Sequence, residues 1–165
     1  MSEPTERDLE HLRHAIRLSE RARLHGNQPF GAVLVAVGGE VFGEAENAML
    51  SDRDLTAHAE MNALRMASKR ASAEEIARAT MYASGEPCPM CSGAMLQHGL
   101  RRVVFGIRWE VNRRYHLPAQ HGVIRPSVSC RDILRLAPSP IEIIGPLLEE
   151  EARVPFEIYA IRGSR

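Results

Sequence analysis

The pattern of hydrophobic and polar positions opens with a helical repeat. Between Thr5 and Leu24, apolar residues recur at helical spacing and form one face. The residues on this face include Leu9, Leu12 and Ile16. Thr5 and Asp8 have the spacing of a capping box, and Gly26 is suited to end the helix. The sequence therefore predicts an amphipathic first helix over 5–24.

Short runs of β-forming residues follow this helix. Ala32 to Val37 and Glu40 to Ala45 are two such runs, and Gly38-Gly39 between them is a two-residue hairpin signal. We therefore expect two antiparallel neighbouring strands. Three later runs are also predicted to be strands: Thr80 to Ser84, Arg102 to Ile107 and Pro140 to Ile144.

Helical patterns separate the later strands. Thr56 to Lys69 has the apolar spacing of a buried helix, which places His58 and Glu60 in its first turn. Another helix is predicted to start at Pro87 to Pro89, because proline is tolerated where a helix amide has no partner.

The order of these elements predicts an α/β fold, with helices on both faces of one mixed five-stranded sheet. This is a three-layer α/β/α sandwich. Arg108 to Ser129 has little periodicity and is predicted to be a long loop or lid. Pro146 to Tyr159 is a final, weaker helix prediction, interrupted by Pro155.

Composition favours one globular domain over 1–165. A chain of 165 residues suits a single domain, and a formal net charge of +0 with 25% charged residues excludes a globally basic nucleic-acid binder. The three cysteines include a C-x-x-C pair and no apolar signal segment is seen, so we expect metal or redox chemistry in a soluble cytoplasmic protein. No apolar run approaches the about 20 residues that span a bilayer, so no membrane partner is expected.

One histidine, two cysteines and one carboxylate have a spacing that suits zinc. His58, Cys88 and Cys91 offer three ligands, which leave one tetrahedral position of Zn²⁺ open for water. Glu60, two residues beyond His58, is a poor fourth ligand and is suited to take a proton from that water and return it. The backbone N–H of Cys88, at a helix start, is suited to stabilise developing negative charge. These residues predict a hydrolytic site with one Zn²⁺ per chain and Glu60 as the catalytic acid and base.

Two other interpretations of the cysteines stay open at this point. Cys88-Pro89-Met90-Cys91 after a strand also has the pattern of a thioredoxin-type redox pair. Alternatively, Cys130 supplies a fourth ligand and closes a purely structural zinc site. That second interpretation leaves Glu60 without a role.

The motifs His58-Ala59-Glu60 and Pro87-Cys88-Pro89-Met90-Cys91 together resemble the signature of the cytidine deaminase-like superfamily. With Pro29-Phe30-Gly31-Ala32-Val33, they are similar to its branch of guanine deaminases, nucleoside deaminases and tRNA adenosine deaminases. The resemblance runs from about Leu9 to Ile107. It implies a cytidine deaminase-like fold, zinc-dependent deamination and a homodimer.

The same resemblance implies three substrate contacts. Asn47, after the second strand, matches an asparagine that binds the base, and a turn residue at a strand end is the alternative. Phe30 matches an aromatic residue that contacts the base, and a plain core residue is the alternative. The backbone of Ala59 is expected within reach of the substrate.

The sequence departs from that branch after Ile107. Where bacterial tRNA adenosine deaminases usually end on a basic helix, this chain has Glu149-Glu150-Glu151. The catalytic aspartate of guanine deaminases has no clear counterpart, and Glu110 is the nearest candidate. We interpret three further histidines as surface or satisfied residues: His98, His116 and His121.

A cluster of arginines near Glu110, with Trp109 and Tyr115 interleaved, is a candidate surface for RNA or for a nucleotide phosphate. A solvated surface or a dimer rim is the alternative. The arginines are Arg101, Arg102, Arg108, Arg113 and Arg114.

Three hypotheses follow. The first is a zinc-dependent deaminase of a free nucleobase, nucleoside or related amino-heterocycle, with a guanine-like purine favoured. The second is a tRNA-specific adenosine deaminase, which converts adenosine to inosine. The third, from another class, is a zinc-stabilised RNA-binding or interaction module. Glu60 argues against the third, because a stabilising site gains nothing from a free carboxylate.

Overall fold

The structure, a computed structural model, describes residues 3–112, 114 and 128–163. The helices within these residues are α1 Glu6–Leu24, α2 Ala59–Ala67, α3 Ala73–Arg78, α4 Pro89–Gln97, α5 Trp109–Asn112, α6 Cys130–Leu134 and α7 Glu149–Gly163. The strands are β1 Gly31–Val35, β2 Val41–Glu46, β3 Thr80–Gly85, β4 Arg102–Ile107 and β5 Glu142–Ile144.

The strands form one mixed sheet in the order β2-β1-β3-β4-β5. β1 is antiparallel to both β2 and β3, as the pairs Ala32 with Ala45 and Ala32 with Ala83 show. β3, β4 and β5 run parallel to one another. The predicted mixed five-stranded sheet and the predicted antiparallel pairing of the first two strands are therefore confirmed.

Side chains of each strand alternate between two cores, one on each face of the sheet. Leu34 and Phe105 lie in the core under α2, α4 and α6, whereas Val33 and Val104 lie in the core under α1 and α7. Helices thus cover both faces, which confirms the predicted three-layer α/β/α sandwich.

The first helix is fixed at its start by a buried carboxylate. Thr5 and Asp8 form the predicted capping box. Asp8 is 2% exposed and also accepts hydrogen bonds from the Tyr82 hydroxyl at 2.7 Å and from Arg102 at 2.6 Å. Burial alone would raise the pKa of Asp8, but these bonds, that of Arg102 foremost, hold it well below its usual value. Asp8 therefore ties α1 to β3 and β4.

Two element boundaries differ from the prediction. The first hairpin does not turn at Gly38-Gly39 alone, because Ala36 pairs with Glu40 and the connection spans 37–39, with Gly39 at φ +95°. The helix predicted from Thr56 begins only at Ala59, because the preceding residues form hydrogen-bonded turns.

Short helices account for most of the other differences. The sequence did not predict α3, and the segment predicted as a loop over 108–129 contains α5. The remainder of that segment, with His116, His121 and Tyr115, lies outside the described residues apart from 108, 114 and 128–129. The last helix begins at Glu149 and continues through Pro155, because Ala152 and Phe156 are packed on the sheet. Within the described ranges, no helix combines the length and the apolar character of a membrane crossing.

Candidate metal centre and active site

Two helix starts meet beyond the carboxyl end of β3. His58 is the N-cap of α2, and Cys88 is the N-cap of α4. Neither side chain makes a cap hydrogen bond to its own helix. Pro89 opens α4, and it lacks the N–H that would otherwise need a partner there. Both N-cap side chains can therefore turn to a shared ligand.

The three predicted ligand residues lie together. The Cys88 and Cys91 sulfurs are 3.6 Å apart, and His58 Nδ1 is 3.5 Å from Cys88 Sγ and 3.6 Å from Cys91 Sγ. A tetrahedral Zn²⁺ with bonds of about 2.3 Å to sulfur and about 2.0–2.1 Å to nitrogen requires separations of roughly 3.5 to 3.8 Å between its ligand atoms. The spacing of these three atoms therefore fits zinc.

The charges in this group differ from those of isolated side chains. Hydrogen bonds with Cys91 and then with His58 hold the pKa of Cys88 at about 4, against the effect of burial. The hydrogen bond to Cys88, together with burial, raises the pKa of Cys91 well above its usual value. Burial acts to lower the pKa of His58, but Cys88 and Glu60 raise it. Without a cation, the group therefore holds protons that a bound metal would displace.

Glu60 lies next to the ligand group in the first turn of α2. It is 4% exposed, and its Oε2 is 3.6 Å from Cys91 Sγ. Burial raises the pKa of this carboxyl, and the charge of Cys88 raises it further. A buried carboxyl with a raised pKa is suited to accept and return protons near neutral pH.

The residues predicted to contact the substrate come from three places in the chain: Phe30 precedes β1, Asn47 follows β2 and Ala59 opens α2. The Asn47 N–H donates to the Phe30 carbonyl at 2.9 Å, so these two residues are neighbours. The Ala48 N–H donates to the Ala57 carbonyl at 2.9 Å, which brings the connection back to His58.

The side chains of the three predicted contacts differ in their surroundings. Asn47 is 1% exposed, and its Oδ1 accepts from the Met49 N–H at 3.1 Å, which is the turn geometry of the alternative interpretation. Phe30 packs edge-on against Phe156 with ring centroids 5.0 Å apart. Ala59 is fully buried as the first residue of α2. These contacts show how the three residues are held within the fold, and their direct contact with a substrate stays a prediction.

Sequence reasoning missed two residues that hold the site together. The Asn62 side-chain amide donates to the Glu46 and Ala57 carbonyls at 3.3 Å each, and so joins the end of β2 to the residue before His58. Glu86 is buried just before the Pro87 motif and accepts two backbone hydrogen bonds. The sequence offered a signal for each residue. Asn62 is a polar residue inside a helix predicted to be buried, and Glu86 is a charged residue two positions before the C-x-x-C motif.

The structure contradicts a closed site with Cys130 as fourth ligand. Among residues 3–112, 114 and 128–163, the group that could hold a metal ion is His58, Cys88 and Cys91. Cys130 is buried in the core at the start of α6, where its N–H donates to Glu86 at 3.1 Å. Burial, followed by the charge of Glu86, raises the pKa of its thiol, which opposes the thiolate form that zinc binds.

Ion pairs within the protein occupy two arginines of the predicted cluster, and the anion-binding interpretation stays a prediction. Arg102 is held by Asp8 and by Glu142, both at 2.6 Å, and Arg108 pairs with Glu149 at 3.2 Å. Arg113 lies outside the described residues. Three arginines of the cluster are exposed on the described surface: Arg101, Arg108 and Arg114.

Comparison with known proteins extends this picture. The family described as "Cytidine and deoxycytidylate deaminase zinc-binding region" matches residues 5–107. A "Probable cytosine deaminase" from Schizosaccharomyces pombe is 39% identical over 155 residues, 93% of this chain and 93% of that protein. A "tRNA-specific adenosine deaminase" from Haemophilus influenzae is 39% identical over 102 residues, 62% of this chain and 59% of that protein.

A solved structure shows the same fold. The guanine deaminase from Nitrosomonas europaea superposes with a TM-score of 0.78 at 19% identity, over 98% of this chain and 87% of that chain. At this identity the likeness concerns architecture, and it agrees with the sheet and helix arrangement described above.

Proposed function

The chain belongs to the cytidine and deoxycytidylate deaminase family, as its two motifs predicted, and from this premise we propose that it releases ammonia from a free nucleobase or a related small amino-heterocycle. It is an enzyme of the zinc deaminase type, a hydrolase of the C–N bond on an amino-bearing ring. The observation that carries the proposal is the buried Glu60 carboxyl beside three clustered potential ligands.

We assign one Zn²⁺ per chain to His58, Cys88 and Cys91. Their mutual spacing and their soft nitrogen and sulfur atoms support the assignment. When bound, zinc acts as a Lewis acid that lowers the pKa of water toward about 7. With zinc bound, Cys88 and Cys91 would both be thiolates, at a helix start where exposed amides favour negative charge.

Glu60 moves the protons of the reaction. It takes one proton from the attacking water and delivers it to a ring nitrogen, while the oxygen bonds to the amino-bearing carbon. A second proton passes through the same carboxyl to the amino group, the C–N bond breaks, and ammonia leaves. Water and amine are thereby converted to a ring carbonyl and ammonia, and Glu60 returns to its starting state.

We assign the substrate side of the site to the residues at the start of β1, at the end of β2 and at the start of α2. The Asn47 oxygen is engaged by Met49, so the NH₂ group is the part of the side chain that we assign to the base. Phe30 borders Asn47, and the Ala59 backbone and the Cys88 N–H lie at the two helix starts. All four remain proposals for direct substrate contact.

A small substrate is favoured over RNA because ion pairs within the protein occupy two arginines of the predicted basic cluster. Arg102 lies in ion pairs with Asp8 and Glu142, and Arg108 lies beside Glu149. The relative named as a cytosine deaminase covers almost the whole chain. The guanine-like purine favoured from the sequence stays a prediction. Because of this relative, guanine and cytosine are the two bases to test first.

A second candidate is deamination of adenosine in tRNA. It is favoured by the 39% identity to the Haemophilus influenzae tRNA-specific adenosine deaminase over 102 residues. The hypothesis of a zinc-stabilised module without activity is disfavoured by Glu60, since a structural zinc site does not require a buried carboxyl beside it. A homodimer stays a prediction that a mass measurement in solution can test.

The proposal is tested by measuring ammonia release from the zinc-loaded protein with a panel of substrates. The panel contains cytosine, guanine, adenine, an aminotriazine, a pterin and the matching nucleosides. We expect turnover of at least one free base, and loss of that turnover when a chelator removes the metal. Turnover that survives complete metal removal, or no turnover on any small heterocycle, would contradict it.

A further inference from the structure

Glu86 is a buried carboxylate that the deamination chemistry does not use. It follows β3, stands two residues before Cys88 and is 6% exposed. Its own N–H donates to the Ile107 carbonyl at 2.8 Å, which joins the carboxyl ends of the parallel strands β3 and β4. Burial of a carboxylate is costly unless hydrogen bonds compensate it, so its partners matter.

The partners of Glu86 are the first residues of two helices that are distant in sequence. Oε2 accepts from the Trp109 N–H at 3.1 Å, at the start of α5. Oε1 accepts from the Cys130 N–H at 3.1 Å, at the start of α6. The first amides of a helix have no partner within the helix, and a carboxylate is well suited to satisfy them.

Both helices thereby acquire a fixed position relative to the metal motif. α6 packs against α4, and Cys130 shares a core with Cys91. α5 begins where β4 ends, beside the end of β3. In a sheet of parallel strands, ligands bind beyond the carboxyl ends, which is where Glu86 acts.

We propose that Glu86 is a positioning residue for deamination, which fixes the starts of α5 and α6 against the segment that carries Cys88 and Cys91. The inference rests on the proposed function. Glu86 is neither a proposed metal ligand nor the proposed acid–base group. It acts through the positions of α5 and α6, which we expect to border the substrate. Its loss therefore raises KM more than it lowers kcat.

The chemistry of the contact explains why a carboxylate is needed. Both oxygens of Glu86 accept from backbone N–H groups. A glutamine offers one acceptor and one donor, so Glu86→Gln must place its NH₂ group against the N–H of Trp109 or Cys130. Glu86→Asp keeps two acceptors on a side chain one methylene shorter. We therefore expect Glu86→Gln, which keeps the size of the side chain, to disturb these two hydrogen bonds more than Glu86→Asp does.

The experiment compares Glu86→Gln and Glu86→Asp with the parent, all zinc-loaded and of full length. Hydrogen exchange is followed at the Trp109 and Cys130 amides, together with zinc content, kcat and KM. Loss of one hydrogen bond to a charged group corresponds to about a ten-fold change. We expect exchange at one or both amides to become about ten-fold faster in Glu86→Gln, KM to rise by a similar factor, and zinc content to stay at the parent level.

Asp8→Asn is the matched control, because Asp8 is equally buried but joins α1 to the opposite face of the sheet. Asp8→Asn should leave KM, and the exchange rates of the Trp109 and Cys130 amides, near the parent values. Unchanged exchange at both amides in Glu86→Gln, or a KM effect equal to that of Asp8→Asn, would overturn the inference. If Glu86→Gln fails to fold, Glu86→Asp decides on the same readouts.

The exchange measurement does not depend on substrate identity. If the parent turns over RNA and no free base, the proposed function fails, and the KM comparison is then made with that RNA. If the parent turns over nothing, exchange at the two amides still decides whether Glu86 fixes the helix starts.

Discussion

Single residues at the centre of this site serve separate purposes that their surroundings explain. His58 and Cys88 occupy N-cap positions without capping their own helices, so their side chains are available to a shared cation. Glu60 is the second residue of α2, where burial raises the pKa of its carboxyl. The same helix start therefore carries the proposed ligand His58 and the proposed acid–base group Glu60, two residues apart.

A substitution at Glu60 separates the catalytic interpretation from the structural one. Glu60→Gln keeps the size of the side chain and removes the group that transfers protons. We expect zinc content and the unfolding midpoint to stay close to the parent values, and kcat to fall by about 10²- to 10⁴-fold. Zinc analysis with steady-state kinetics measures both. A variant with full turnover would remove Glu60 from the reaction.

The pH dependence of stability should report on Asp8. Its folded-state pKa lies below the unfolded value of about 3.9, so its contribution to stability is complete above that value and is lost as the pH falls below it. Asp8→Asn should therefore be less stable than the parent by about 1.5–3 kcal/mol at pH 7, and the difference should shrink below about pH 4. Urea unfolding across pH 2.5–7 measures it, and a constant difference would exclude this ion pair as the cause.

Helices and strands position these residues through close contacts between backbones. A Cβ on Gly43 in β2 would lie 2.2 Å from the Ala63 carbonyl oxygen, so α2 rests directly on this strand. The position of α2 sets the position of His58 at its start. By contrast, a Cβ on Gly93 in α4 would meet nothing within 4 Å.

These two glycines give a prediction at the level of the elements. Gly43→Ala should destabilise the protein by about 1–3 kcal/mol and weaken zinc binding, because α2 must move. Gly93→Ala should instead be neutral or stabilising by up to about 1 kcal/mol, since alanine lowers the entropy of the unfolded chain. Chelator competition and denaturant unfolding measure both variants. Equal zinc affinity in the two would contradict the link between β2 packing and the metal site.

Elements of regular pattern could be predicted from the sequence, and short ones could not. Apolar runs such as the strand Arg102–Ile107, and the helical repeat of the long first helix, are patterns that local residues determine. α3, α5 and α6 have six residues or fewer, too few for such a repeat. Glu86 and Asn62 also escaped prediction as site residues, because they bind backbone amides or carbonyls that only the folded chain brings near.

The whole molecule has a balanced charge, and the sequence alone does not show which charged residues remain free on the folded surface. The formal net charge is +0, and a run of arginines near Glu110 resembled a basic surface. Arg102 instead pairs with Asp8, 94 residues away in sequence, and is removed from that surface. Pairing across such a distance is a property of the fold and cannot be read from local composition. The remaining exposed arginines give weak support for a polyanionic substrate.

The distribution of charge predicts how the protein responds to salt. A tRNA-binding enzyme loses affinity steeply as salt rises, because phosphate contacts release counterions. We expect the KM for a free base to change less than about two-fold between 50 and 300 mM salt, a range that changes RNA affinity strongly. Arg101→Ala together with Arg114→Ala should leave that KM unchanged. A steep salt dependence with a small base would place charged groups in the site.

The most direct test of the central claim compares kcat/KM of the zinc-loaded protein for free bases with kcat/KM for an anticodon stem-loop that carries adenosine. Cytosine and guanine are the first bases, and ammonia release at physiological salt is the readout. The account predicts the higher kcat/KM for a free base and little or no inosine in the RNA. Efficient conversion of adenosine to inosine in the stem-loop, with no ammonia from any small heterocycle, would contradict it.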